Sequence, residues 1–342
     1  MSFKYLNKMP SPEEIIDMLP IDEQSRRIKE ERDQLIRQIL TGESDKFVVI
    51  VGPCSAHQDN AIYDYVSRLG ELQEKVADRL VLIPRIYTNK PRTTGEGYKG
   101  MAHQPDPMQK PDMVKGVKML RQMHLKAIQE SGLTAADEML YPENYAYLAD
   151  LLSYVAVGAR SVENQQHRMT VSGVSVPVGM KNPTSGDFSV MLNGIKAGQL
   201  GHVFTYNGWE VSTEGNPLVH AILRGRTNRH GENIPNYHYE DVMFLSEKYL
   251  SMSLLNPAII IDTNHANSGK KYEQQPRIAR EIMHNRRQSD LLRHMIKGLM
   301  IESFIVEGNQ PENGCVYGQS ITDPCLGWED TERLIYQLAE LV

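Results

Sequence analysis

The chain has 342 residues, 40% apolar and 23% charged, and its 43 acidic side chains outnumber the 37 Lys and Arg to leave a formal charge of −6. That composition is globular and excludes a disordered chain, and the missing basic excess argues against a nucleic-acid-binding surface. No run approaches 18 apolar residues, and the opening MSFKYLNKMPSPEEIIDMLP lacks the apolar stretch of a secretory signal, so neither a membrane nor a secreted class is expected. Three cysteines, Cys54, Cys315 and Cys325, make no disulfide framework and suit a reducing cytoplasm.

Residues 1–45 form an N-terminal extension whose IDEQSRRIKEERDQLIRQIL carries a charged helical pattern. From residue 46 onward, short apolar runs alternate with helical stretches. VVIVGP (48–53) precedes the helix pattern AIYDYVSRLGELQEKV (61–76), and LVLIPR (80–85) precedes PDMVKGVKMLRQMHLKAIQES (111–131). TAADEM (134–139) is followed by a short helix pattern, YAYLADLLSY (145–154), and then by VAVGAR (155–160) and VPVGMK (176–181). HVFTYN (202–207), AIIIDTNH (258–265) and GLMIES (298–303) complete the set. Each run is apolar on both parities, as a strand buried on both faces requires. Eight strands alternating with helices predict a (β/α)₈ barrel over 46–342. The 208–240 stretch is long for a βα loop, and VHAILRG within it predicts an inserted β-hairpin after the sixth strand.

Barrel active sites lie at the C-terminal strand ends. Those ends supply Cys54, Arg85, Asp137–Glu138, Arg160, Lys181, Tyr206, His265 and Glu302 in turn. Cys54, His265, Glu302 and Asp323 together make a mixed thiolate, imidazole and carboxylate set suited to a borderline divalent cation. The plainer reading makes Cys54 a small buried hydrophobe and His265 a hydrogen-bonded core histidine. Arg85, Lys90, Arg92, Arg160, Lys181 and Arg224 form a cationic set in an acidic protein. Arg160 and Lys181 directly follow apolar runs, and buried cations need anions, so a ligand with several phosphate or carboxylate groups is expected. The KPRTT segment, with Gly95, Gly97 and Gly100 beyond it, suits a loop wrapped round a phosphate. No GxxxxGK[ST] or GxGxxG motif follows a strand, so nucleotide binding lacks support.

With these residues in place, the chain resembles the class I 3-deoxy-D-arabino-heptulosonate 7-phosphate (DAHP) synthases. The matching motifs are GPCSAH (52–57), KPRTT (90–94), GARSVENQQHR (158–168), PVGMKNPTSG (177–186), ILRG (222–225), NHANSGK (264–270), ESFIVEGNQ (302–310) and SITDPCLGWEDT (320–331). The resemblance implies condensation of phosphoenolpyruvate with erythrose 4-phosphate at the head of the shikimate pathway. It implies one divalent metal (Mn, Fe, Co or Zn) on Cys54, His265, Glu302 and Asp323. It implies phosphoenolpyruvate contacts from Arg85, Lys90, Glu138, Ala159, Arg160, Lys181 and Arg224. Erythrose 4-phosphate contacts are implied from Lys90, Pro91, Arg92 and Thr93, with Asp323 beside them, and Lys181, His265 and Cys54 as the residues nearest the chemistry. A sibling condensation giving a 3-deoxy-octulosonate 8-phosphate, or a barrel that binds metabolites without catalysis, are the alternatives. Members of the family assemble as dimers or tetramers and many are inhibited by an aromatic amino acid. The 1–45 extension is a candidate regulatory or oligomerisation arm, with Ser175 and 141–147 as candidate effector-pocket positions; packing across the lower end of the barrel is its plainer role.

Overall fold

The computed structural model describes residues 2–92 and 94–342. Eight parallel strands form the barrel: Phe47–Gly52, Leu80–Pro84, Ala136–Glu138, Tyr154–Val157, Val178–Lys181, Val219–Leu223, Ile259–Asp262 and Ile296–Glu302. Strands two and three, at the ends of the ladder, are joined by a parallel bridge between Arg85 and Ala136, which nearly closes the barrel. The two parities of each strand serve different cores, and this explains the runs that are apolar throughout. Val48, Ile50, Val81, Ile83, Ala156, Ile222, Ile260 and Met300 fill the barrel interior. Val49, Val51, Leu82, Val155, Leu223, Ile261 and Ile301 pack outward with the surrounding helices.

The helix Glu23–Thr41, capped by Asp22 and ended by Gly42 in a left-handed conformation, closes the N-terminal end of the barrel. Its Ile36, Ile39 and Leu40 belong to the interior cluster. Arg32 from the same helix donates to Thr134 Oγ1 and Leu82 O, so cationic side chains are tied down among the strand beginnings.

Two expectations change. The sixth barrel strand is Val219–Leu223, not 202–207. Val203–Tyr206 instead pairs antiparallel with Trp209–Ser212 about Asn207 and Gly208, both at positive φ, the combination that a tight hairpin demands. Val203 and Thr205 are exposed while Phe204 is buried, so only one face of that ribbon is covered. The run VHAIL is buried throughout, because His220 has its imidazole satisfied inside the barrel by Tyr154 Oη (2.7 Å) and Leu218 O (2.9 Å). An inserted hairpin follows the sixth strand, but as a short ribbon of Arg226–Thr227 and Asn233–Ile234 and not through VHAILRG. The second change concerns 145–154, which is a 3₁₀ helix over Pro142–Tyr147 followed by turns. The fully buried Arg121 takes the Tyr147 carbonyl (2.9 Å) and forks onto Asp150 (2.6 and 2.8 Å), capturing an acceptor that a continuing helix would use. Arg121 also donates to Leu19 O (2.7 Å), fastening the extension to the barrel.

Candidate active site

The C-terminal strand ends surround a cavity of about 260 Å³ lined by Cys54, Arg85, Lys90, Glu138, Arg160, Lys181, Arg224, His265 and Asp323, among others. With the sixth strand reassigned, its end contributes Arg224, so all eight ends bring an ionisable side chain to the site. Tyr206, assigned to that role by sequence, lies in the outer hairpin and donates to Pro142 O at 3.1 Å.

Arg85 and Lys181 are almost wholly buried. Arg85 Nη2 lies 2.7 Å from Glu302 Oε1, and its guanidinium stacks 3.9 Å above the Tyr87 ring. Burial works against the Arg85 charge, yet Glu302, Cys54 and Asp262 hold its affinity for the proton above the ordinary value. Lys181 Nζ sits 3.4 Å from Glu138 Oε2 and 3.9 Å from Asp262 Oδ2. Glu138 resists its own burial because Lys181 and Arg85 hold its carboxyl below the usual range. Arg160, expected to be buried, is exposed at the rim, because it stands three residues beyond the end of its strand at Val157. Arg224, Lys90, Pro91, Arg92 and Ala159 are half-buried around the opening.

The segment 88–102 is a closed loop: Ala102 N donates to Thr88 O and Lys90 N to Lys99 O, both at 3.0 Å. Asp137 anchors its base by accepting from Thr88 N (2.9 Å) and Thr88 Oγ1 (2.5 Å). Gly100 is required at its close, since φ is 96° and a Cβ there would fall 2.4 Å from Thr88 O. Arg92 donates to Tyr98 O (2.8 Å) and stands 3.6 Å from Glu312. Thr93 lies outside the described residues.

Beside the cations, Cys54, Glu302 and Asp323 bring ligand atoms within 4.8 Å of one another. His265 is at the edge of that group, with Nε2 3.9 Å from Glu302 Oε1 and Nδ1 2.8 Å from Asp262 Oδ2. Its φ of 52° is a conformation that non-glycine residues adopt mainly at constrained sites. Lys90 Nζ reaches into the same group, 2.7 Å from Cys54 Sγ and 2.9 Å from Asp323 Oδ2. Burial and then Glu302 push the Cys54 thiol up to about 11, whereas Lys90 and His265 overcome burial to hold Asp323 well below the carboxylate range. The donors are soft and hard together, and the atoms of Cys54, Glu302 and Asp323 converge. The set therefore fits a divalent metal of the borderline class, which would also deprotonate the thiol.

Four contributors escaped the reading of the sequence: Tyr87 beneath Arg85, Asp262 between Lys181 and His265, Asn264, whose amide donates to Glu302 Oε2 (2.5 Å), and Lys270 on the cavity wall. Asp262 was the most legible of them, an acid ending the apolar run AIIID.

Residues 18–335 match the model of the DAHP synthetase I family. The chain is 38% identical to the phospho-2-dehydro-3-deoxyheptonate aldolase of Haemophilus influenzae, the alignment covering 97% of this chain and 91% of that protein. It is 37% identical to the Phe-sensitive enzyme of that name from Escherichia coli K12, over 100% and 97% of the two chains. The solved structure of the Francisella tularensis SCHU S4 phospho-2-dehydro-3-deoxyheptonate aldolase superposes with a TM-score of 0.93 at 33% identity, covering all of this chain and 98% of that one. On the motifs, the fold and these likenesses, the chain belongs to the DAHP synthetase I family, whose enzymes condense phosphoenolpyruvate with D-erythrose 4-phosphate to DAHP and phosphate in aromatic biosynthesis.

Proposed function

We propose that the cavity carries out that condensation, with the residues in the following roles. The carrying observation is that Arg85 and Lys181, both almost wholly buried, stand beside a convergent thiol and carboxylate donor set. Cys54, His265, Glu302 and Asp323 hold the divalent metal (Mn, Fe, Co or Zn); when bound, it supplies Lewis-acid polarisation of the erythrose 4-phosphate aldehyde. Arg85, Lys90, Arg160, Lys181 and Arg224, with the backbone at Ala159, hold the phosphate and carboxylate of phosphoenolpyruvate, and Glu138 fixes the Lys181 ammonium. Lys90, Pro91, Arg92 and Thr93 take erythrose 4-phosphate, with Asp323 near its aldehyde.

Each phosphate carries roughly −1.5 to −2 charges, so two substrates meet only where cations outweigh their repulsion. The enol carbon C3 attacks the aldehyde, and C2 gains positive character next to the Glu138 carboxylate. Water adds to C2, its proton passing to a neighbouring basic group, and the tetrahedral adduct expels phosphate. Lys181 is placed to donate to the developing alkoxide or the departing phosphate. The test is an assay of the metal-loaded chain with erythrose 4-phosphate against arabinose 5-phosphate. Turnover of the five-carbon sugar alone would overturn the reading in favour of the octulosonate sibling, and turnover of neither would overturn it in favour of a binding protein.

Relatives are named Phe-, Trp- and Tyr-sensitive, and this supports inhibition of the present chain by an aromatic amino acid. The candidate pocket lies around 141–147 and Ser175, where Pro10 of the extension accepts from Tyr147 and Tyr206 of the outer hairpin donates to Pro142 O. Inhibition assays with the three amino acids test this, and no inhibition by any of them would refute it. Exposed Phe3, Tyr5 and Leu6 support an oligomerisation arm and a homo-oligomer, dimer or tetramer, which a light-scattering mass of 38.8 kDa would contradict. No described helix is long and apolar enough to cross a membrane, and three free cysteines support a cytoplasmic setting.

A further inference from the structure

At the opposite end of the barrel from the catalytic cavity, a second pocket of about 400 Å³ opens between the end of the helix Glu23–Thr41, the beginnings of strands one and eight, and the helix Asp290–Met295. Its lining is cationic. Lys46, Arg79, Arg286, Arg293 and Lys297 face it with His294, against the acidic side chains of Asp45 and Asp290 and the carboxyl end at Val342.

Arg286 and Lys297 are each more than nine-tenths buried. Neither they nor Arg293 have a carboxylate within 4.0 Å among the described residues. Arg286 is fixed rather than free: its Nε donates to Ile296 O (3.2 Å) and its guanidinium lies 5.1 Å over the Phe47 ring. Only Nε is spent in that way, which leaves the remaining N–H groups of the fork for another partner. Burial pushes both Arg286 and Lys297 below their ordinary values, helped by Arg293 beside Arg286 and by Arg286 beside Lys297, with Asp45 only partly offsetting this.

The carbonyl end of the helix Glu23–Thr41 adds roughly half a negative charge near Gly42, too little to balance this group. Buried cations held in place without counterions are costly unless an anion joins them. Arg79 faces Asp78 at 3.6 Å, but the two guanidinium groups of Arg286 and Arg293 with the Lys297 ammonium favour a planar or tetrahedral oxyanion, and the volume falls in the range of small-molecule sites.

We infer that this pocket is a second anion site, separate from the catalytic one, that takes a small phosphate-bearing molecule between Arg286, Arg293 and Lys297. A phosphate seated there would tie the end of the extension helix at Gly42 to strands one and eight.

Hydrogen exchange on the full chain tests this, read at segments away from the catalytic strand ends. Inorganic phosphate and glycerol 3-phosphate serve as probes, and sodium chloride of equal ionic strength as the control. The expected result is saturable protection of amides in 42–48 and 293–299 by at least one phosphate probe. Tighter action of glycerol 3-phosphate would assign the pocket to an organic phosphate, and equal action to the phosphate group alone. Arg293→Gln, at an exposed position that packing does not need, should weaken the protection roughly tenfold or more. Lys297→Met, which keeps the apolar stem, should do the same. Equal protection by chloride, protection confined to 88–102, or an Arg293→Gln variant that responds like the parent would overturn the inference.

Discussion

The two ends of the barrel are built from the same eight strands and solve opposite problems. At the N-terminal end, Ile36, Ile39 and Leu40 of the extension helix complete the interior cluster of Val48, Ile50, Val81 and Ile260. At the C-terminal end, the interior gives way to Arg85, Glu302, Lys181, Asp262 and Glu138, all buried. Desolvated ion pairs at best break even against apolar packing, so the charged end adds little stability. The plugged end and the outer shell must supply it, and the difference separates residues whose loss costs function from residues whose loss costs folding.

The sharpest way to break this division is to remove the donor set. Chelation should abolish turnover, and Mn²⁺, Co²⁺ or Fe²⁺ should restore it. Glu302→Gln should reduce metal affinity and activity by at least roughly 100-fold, since even outer partners of metal ligands are worth 10–100-fold. Its thermal unfolding should remain cooperative. Full turnover in a chelated sample that elemental analysis finds metal-free would refute the role of the set.

At the other end, Ile39→Ala empties a site with no solvent exposure, and such truncations cost roughly 2–5 kcal/mol. Urea unfolding should register that loss, while kcat and both Michaelis constants at 25 °C stay near the parent values. A large rise in either constant with little change in stability would mean that the helix acts on the catalytic end, and the division would fail.

Much of this division was legible before the fold was known, because a barrel turns strand ends into neighbours. Cys54, Arg85, Glu138, Lys181, His265 and Glu302 needed only the correct run boundaries. VHAILRG was read as part of an inserted hairpin and not as the sixth barrel strand because His220 interrupts an apolar run, and nothing in the sequence announces that Tyr154 will bond to it across the barrel. Asn207–Gly208 is a turn signal that the barrel-strand reading of 202–207 passed over, since few residues other than glycine and asparagine tolerate positive φ at a two-residue turn. Tyr87 and Asn264 carry no charge, and their roles come from stacking and hydrogen bonding to residues distant in sequence.

Within the charged end, the proposed roles divide the rim between the two substrates. Arg92, held in the 88–102 loop by Tyr98 O and near Glu312, should serve erythrose 4-phosphate. Arg160, which follows strand four and lines the same cavity, should serve phosphoenolpyruvate. Each Arg→Ala change should raise the matching Michaelis constant by roughly ten- to a hundredfold and the other far less. Equal effects of both variants on both constants would merge the two subsites into one.

The smallest effect lies in the interior between the two ends. Burial lowers the His220 imidazole from 6.5 to about 4, with the Leu218 carbonyl partly opposing that shift, while Tyr154 Oη holds the other ring nitrogen. As pH falls, the unfolded chain therefore binds a proton at this position before the folded one does. The stability that a neutral His220 contributes is present above pH 6.5 and drains away toward pH 4. Between pH 7 and 5.5 this amounts to about 1 kcal/mol for a shift of that size. His220→Gln keeps a polar partner for Tyr154 without titrating, so its stability should fall less over the same interval. The difference between the two slopes isolates this residue from every other group that titrates there. A variant whose acid slope matches the parent's would show that His220 is protonated as readily inside the barrel as in the unfolded chain, and that the interior is not the dry, apolar plug that separates the two ends.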